Sequence, residues 1–313
     1  MNNVANRKVI CDVLVDIAKY DKDIMVLTSD SRGSASMSGF AELYPEQFVE
    51  VGIAEQNLVG IASGLASCGK KTYVASPACF LSMRSIEQIK VDVAYSKNNV
   101  KLIGISGGVS YGALGMTHHS LQDIAVTRAI PDIQVLLPAD RYETKKMIQE
   151  LYKSDIPAYI RIGRNPVEDV YENEDFDFKI GRANELHSGN DITVIATGET
   201  VRIALDAAIE LEKHGIECRV INMHTIKPLD KEAIIKSSKE TKGIITIEEH
   251  SIYGGLGAAV SEVVVQNIPV KMKVLGIADE SPIAGNSKEV FNYYGLNSEN
   301  IVKIAKEMLF SEN

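Results

Sequence analysis

Short runs rich in Val and Ile alternate along this chain with longer stretches of helical spacing, and that rhythm restricts the fold more than any single motif does. The runs are Ile24–Leu27, Thr72–Ala75, Val100–Ile105, Ile133–Leu137, Ala158–Ile162, Ile192–Ala196, Cys218–Ile221, Ile244–Ile247 and Met272–Leu275. Each has the length of a buried strand. Between them, Val4–Tyr20, Ala54–Cys68, Leu81–Ser96, Ala139–Lys153, Val201–His214 and Leu256–Gln266 repeat apolar residues every three or four positions, as amphipathic helices do. Strand alternating with helix predicts an α/β fold of doubly wound, mainly parallel sheets, covered on both faces and joined by right-handed crossovers.

The rhythm lapses between Asn165 and Asn190, a segment acidic over Glu168–Asp177 and without an apolar period. It reads as a linker, dividing the chain into a first domain at 1–165, a linker at 166–190 and a second domain at 191–313. The 313 residues fit two cores better than one.

Charge and cysteines narrow the function. The formal charge is −9, and pairs such as Lys70–Lys71 and Lys145–Lys146 do not build the basic stripe that nucleic acid requires. Cys11, Cys68, Cys79 and Cys218 lie far apart, a spacing that favours reduced thiols over disulfides or zinc. The polar N-terminus lacks the apolar core of a signal peptide, and no apolar run approaches the roughly eighteen residues of a membrane span. The expectation is a cytoplasmic protein.

Open parallel sheets collect ligands at the carboxyl ends of their strands. Five loops at such ends hold unusual residues. In Glu50-Val51-Gly52-Ile53-Ala54-Glu55-Gln56-Asn57 a short strand runs into Gly52, and Glu55 falls in the first turn of a helix amid apolar neighbours. Glu55 is either a charge satisfying free helix amides or a buried acid of raised pKa. The segment Gly107 to His119 has four glycines in nine residues and ends in two histidines, ahead of a helix at Leu121–Ala129. Its spacing fits no nucleotide-binding signature, which leaves a structural loop or a close approach to a ligand. Phe80 opens a helix as either core or platform. Arg161 and Arg164 end the last strand of the first domain, where two guanidiniums either are solvated or grip an anion. Ser29-Asp30-Ser31-Arg32 follows the strand Ile24–Leu27, and Asp30 is also suited to capping a turn. In the second domain, Glu248-Glu249-His250 on a strand alternate faces, which favours packing over metal binding. A loop from Met223 leads to a helix starting at Leu229. His187, His214 and His224 read as structural.

Taken together, Val51 to Asn57, Ala62-Ser63-Gly64-Leu65-Ala66, Phe80-Leu81, Thr117-His118-His119, Ile124-Ala125, Pro131-Asp132-Ile133, Pro138-Ala139-Asp140 and Ile247 to Gly257 resemble the transketolase family in order and spacing. The resemblance covers nearly the whole chain and implies a pyrimidine-binding domain followed by a transketolase C-terminal domain. In that family a Gly-Asp-Gly motif on a further domain holds the cofactor's diphosphate and its metal, and no such triplet occurs here. The resemblance therefore implies the second subunit of a split, two-gene transketolase. Its site would form with an N-terminal, diphosphate-binding partner in a two-plus-two heterotetramer, using thiamine diphosphate and Mg²⁺ (or Ca²⁺) held mainly by that partner.

The same resemblance implies roles. Glu55, kept protonated by burial, would hydrogen-bond a nitrogen of the pyrimidine ring and so raise the basicity of the ring's amine. Phe80 would stack on the ring, with Ile53 and Met83 beside it. His118 would contact the donor's oxygen, with His119 at the substrate, while Arg164, Arg161 and Arg32, with Asp30, would hold the sugar and its anionic end. Typical transketolases carry Asp where Leu114 stands, a Pro at Met116, and aromatics at Met83 and Ile86. Those departures point to a non-standard ketose donor, a sulfo-sugar among the candidates. The alternatives are the β subunit of a 2-oxoacid dehydrogenase, an enzyme like deoxyxylulose-phosphate synthase, or an inactive structural or regulatory partner.

Overall fold

The computed structural model describes residues 4–310. Nearly every apolar run becomes a strand, because a segment of Val, Ile and Leu buried on both faces pays for its lost hydration only inside a sheet flanked by helices. In chain order the strands are β1 (Ile24–Thr28), β2 (Phe48–Glu50), β3 (Lys71–Pro77), β4 (Val100–Ile105), β5 (Gln134–Leu136), β6 (Ala158–Arg161), β7 (Asn184–His187), β8 (Ile192–Ala196), β9 (Cys218–Asn222), β10 (Thr225–Lys227), β11 (Gly243–Ser251) and β12 (Lys271–Ile277).

They form two sheets, one of seven strands in the order β10-β5-β6-β4-β3-β1-β2 and one of five in the order β12-β11-β8-β9-β7. All pairings are parallel except β10 with β5 and β7 with β9. β4 lies at the centre of the first sheet and is buried along its whole length. One face of that sheet packs Leu58, Val59 and Ala62 of the helix Glu55–Ser67. The other packs Ile10 and Leu14 of the helix Asn6–Ala18 and Met147, Ile148 and Leu151 of the helix Arg141–Tyr152.

The structure corrects several expectations. The stretch 166–190 is not wholly a linker, since β7 forms within it and pairs antiparallel with β9. The second domain is also not self-contained. β10 leaves it and adds an antiparallel edge to the first sheet, with Thr225 opposite Leu136, and one apolar core runs from Leu27 and Val74 through Ile130 to Leu256 and Val260. The helix expected to start at Leu229 starts at Lys231, capped by the Asp230 side chain. The single helix expected at Leu81–Ser96 is broken. Its first part spans Ala78–Arg84 and stops at Ser85, and a wide-turned helix follows at Ile89–Tyr95. Ser82 and Ser85 donate to the carbonyls of Ala78 and Leu81 (2.7 and 2.5 Å), the back-bonding that bends helices. Helices at Ser38–Leu43, Ser287–Tyr293 and Ser298–Phe310 were not foreseen. Among the described residues no helix is long and apolar enough to cross a membrane.

Candidate active site

The sheet order decides which loops become neighbours. Reading β6-β4-β3-β1-β2 across the carboxyl edge brings together Arg164 after β6, His118 in the loop after β4, Phe80 after β3, Asp30 after β1 and Glu55 after β2. The residues of interest are therefore far apart in sequence and adjacent in space.

Glu55 opens its helix three residues after Gly52, whose φ of +72° turns the chain out of β2. Its side chain is 5 % exposed, yet it is not an acid in an apolar niche. Arg84 Nη1 lies 3.2 and 3.1 Å from the two carboxylate oxygens, and this arginine remains 49 % exposed. Arg84 stands four residues after Phe80 on one helix, so both side chains share a face. Its guanidinium sits 4.1 Å from the Phe80 ring centroid. The residues 53–57 and Arg84 line an open recess of about 470 Å³.

From Phe80 the contacts continue. Its ring meets His118 edge-on at 5.2 Å, His118 meets Tyr111 at 5.3 Å, and the Arg164 guanidinium lies 5.1 Å from the Tyr111 ring. Thr117 Oγ1 and His118 Nδ1 are 2.9 Å apart, which fixes the orientation of the imidazole. The result is an unbroken row, Glu55–Arg84–Phe80–His118–Tyr111–Arg164, with an acid at one end and a cation at the other. Arg7 secures the cationic end, donating from Nε to the Arg164 carbonyl (3.0 Å) and from Nη1 to the Ser34 carbonyl.

Two expected substrate residues lie elsewhere. Arg161 is only 6 % exposed and is committed to the second domain. It donates to the Glu249 carbonyl and lies 3.3 Å from the Asp123 carboxylate and 3.7 Å from that of Glu249. Burial works against its charge, but Asp123 and Glu249 hold its pKa above the ordinary value. His119 is buried, with Nε2 3.1 Å from the Gly112 carbonyl. Burial lowers its pKa. Asp30 and Arg32 are exposed on the loop after β1, where the Asp30 amide donates to Glu50 (2.6 Å). Ile53, 76 % exposed, lines the recess, and Met83, half exposed, precedes Arg84 on its helix.

The glycines of the loop after β4 serve a different neighbour from the one expected. Gly108, with φ of +60°, is pressed against the Glu249 carboxylate and Arg161, and the next amide, Val109, donates to Glu249 (2.8 Å). Gly112, with φ of +55°, lies against the Gly285 carbonyl. These glycines let the loop dock on the second domain. Burial raises the carboxyls of Glu199 and Glu249, which crowd the same Arg161. Glu248 accepts from Leu256 and Gly257 (2.7 and 2.8 Å) at a helix start.

Sequence reasoning missed Arg84, Tyr111 and Arg7. The spacing of four from Phe80 was the available signal for Arg84. Nothing local marked Tyr111, whose place in the row depends on how the glycine loop folds. Among the described residues no group of three or more His, Cys, Asp or Glu side chains is arranged to hold a metal.

Comparison with known proteins places both parts of the chain in one family. The pyrimidine-binding domain of transketolase matches residues 2–168, and the transketolase C-terminal domain matches residues 181–301. An apulose-4-phosphate transketolase subunit from Phocaeicola vulgatus is 53 % identical over 98 % of both chains. A 6-deoxy-6-sulfo-D-fructose transketolase subunit from Clostridium is 35 % identical over 96 % of this chain and 94 % of its own. A solved "split gene transketolase, inactive beta4 tetramer" superposes with a TM-score of 0.90 at 34 % identity, covering 98 % of each chain.

Proposed function

This chain belongs to the transketolase family as the pyrimidine-binding and C-terminal subunit of a split enzyme, and on that premise we propose which of its residues serve thiamine diphosphate and the ketose donor. The enzyme transfers a two-carbon ketol unit from a ketose to an aldose. The observation that carries the assignment is the unbroken row from Glu55 to Arg164 along the carboxyl edge of the first sheet.

The residues at its acidic end fit the cofactor's ring. Arg84 offers a flat cation with N–H donors to the Phe80 face and the Glu55 carboxylate at once, and a planar heterocycle presenting polar atoms at its edge makes the same two contacts. When bound, thiamine diphosphate supplies the acidic carbon centre that receives the two-carbon unit and passes it on. Glu55 holds a proton at a ring nitrogen and thereby sets the basicity of the ring's amine. Phe80 supports the ring by stacking. With Nδ1 taken by Thr117, His118 turns Nε2 to the donor's oxygen and stabilises charge there as the C–C bond breaks. Arg164, stacked on Tyr111, draws in the anionic end. Asp30 and Arg32 line the approach.

The recess is open and lined by the exposed Ile53, and Met83, Leu114 and Met116 add an exposed apolar rim to the helix and loop that carry Phe80 and His118. Such a rim fits a partner chain. That partner is the N-terminal subunit, which holds the diphosphate with Mg²⁺ (or Ca²⁺), in a two-plus-two heterotetramer in the cytoplasm. The solved relative described as inactive contains beta subunits only, in keeping with a partner requirement.

The donor is an anionic ketose of the apulose 4-phosphate type, since the 53 % identical relative is named for it and the relative named for a sulfo-sugar is 35 % identical. Ketol transfer assayed with the partner subunit across donors tests this. Apulose 4-phosphate should exceed both 6-deoxy-6-sulfo-D-fructose and xylulose 5-phosphate in kcat/KM. Preference for xylulose 5-phosphate would overturn the donor assignment, and pyruvate consumption without a ketose would favour a synthase or dehydrogenase subunit.

A further inference from the structure

Arg84 has no place in the chemistry above, yet it contacts both residues assigned to the cofactor's ring. Its Nη1 meets both oxygens of a carboxylate that is 5 % exposed, and its flat face covers the Phe80 ring at 4.1 Å. Glu55 and Phe80 come from different strand ends, after β2 and β3. Only a group lying between them can touch both. The guanidinium is thus already stacked and hydrogen-bonded where a planar ring would be.

We propose that Arg84 is a built-in placeholder for the cofactor's ring: it keeps Glu55 paired and Phe80 covered until thiamine diphosphate displaces it, and so it sets how tightly the assembled enzyme binds its cofactor. This rests on the assignment of Glu55 and Phe80 to the ring site. The helix supports the movement. Arg84 is the last residue of Ala78–Arg84, the turn breaks at Ser85, and the side chain is half exposed, so the guanidinium can swing outward without unpacking the core.

The test is calorimetric titration of thiamine diphosphate, with Mg²⁺, into the reconstituted two-subunit complex freed of cofactor. Arg84→Met keeps the length and apolar stem but loses the charge and the N–H donors. It should bind the cofactor about tenfold more tightly than wild type, the scale set by one half-exposed ion pair and one half-exposed cation–π contact. Arg84→Lys, which keeps the charge without the flat face, should fall between the two. In the absence of cofactor Arg84→Met should melt below wild type, with the gap closing at saturating cofactor. Binding by Arg84→Met equal to or weaker than that of wild type would overturn the placeholder while leaving the ring site standing. Failure of the wild-type complex to bind thiamine diphosphate would overturn the ring site and the placeholder together.

Discussion

Arg161 and Arg164 stand three residues apart at the end of one strand and meet opposite fates. Arg161 is swallowed by the contact between the two sheets, where one guanidinium is ringed by the carboxylates of Asp123, Glu199 and Glu249. Arg164 emerges beside the ring of Tyr111, at the end of the row that begins at Glu55. What separates them is what lies opposite, not residue type. β11 brings Glu249 onto Arg161, whereas Arg164 meets Tyr111 and Arg7 of its own domain. The inter-sheet tie is built for permanence, its one guanidinium desolvated among three buried carboxyls. The row is built for exchange, with contacts that are flat, half exposed and replaceable.

That contrast can be broken by substitution. The largest effect belongs to the row: Glu55→Gln should lower kcat of the reconstituted enzyme by about 10³-fold, within the range for a lost acid–base group, with the melting temperature falling no further than that of Arg84→Met. Unaltered turnover would move Glu55 to the structural side and revive the reading of this chain as an inactive partner. Next, Arg161→Met strands buried carboxylates and should cost about 3–5 kcal/mol of stability by denaturant unfolding, whereas Arg164→Met should stay within about 0.5 kcal/mol. Equal costs would erase the distinction between the two arginines. Arg164→Met should instead raise KM for an anionic donor about 10- to 100-fold, the value of a charge-assisted contact, and leave neutral ketoses unaffected.

The smallest effect is one of pH. Burial first, then mutual repulsion, raises the Glu199 carboxyl, and burial raises Glu249 despite Arg161. A raised acid binds more protons folded than unfolded, so its contribution is complete below the ordinary carboxylate range of about 4.3 and is lost as pH rises through neutrality. Wild-type melting temperature should fall by about 2–4 °C across that window, and Glu199→Gln should flatten the slope. A slope of opposite sign would mean that these carboxylates are stabilised as anions.

Much of this was legible from sequence. Strand runs and helical spacing pointed to the layered fold, because burial on two faces leaves a mark at every position. Glu55, Phe80 and His118 stand at strand ends, and it was the resemblance to the family, more than their position, that assigned them roles. What could not be read was pairing across long separations. Arg161 and Arg164 look equivalent in the sequence, since the residue that distinguishes them, Glu249, comes 88 positions later. The glycines of the loop after β4 looked like room for a ligand and are instead room for Glu249 and Gly285. β10 was missed because three residues crossing to another domain's sheet carry no period. Arg84 was missed because Met83 and Ile86, on either side of it, are the departures from a pattern, while its own role comes from the helix face that it shares with Phe80.

The most direct test is a structure of the two-subunit complex with thiamine diphosphate and Mg²⁺. The pyrimidine ring should lie against Phe80 with one nitrogen within about 2.6–3.2 Å of the Glu55 carboxyl, and Arg84 should have turned outward. A ring bound elsewhere, with Arg84 still joined to Glu55, would contradict the assignment of this site.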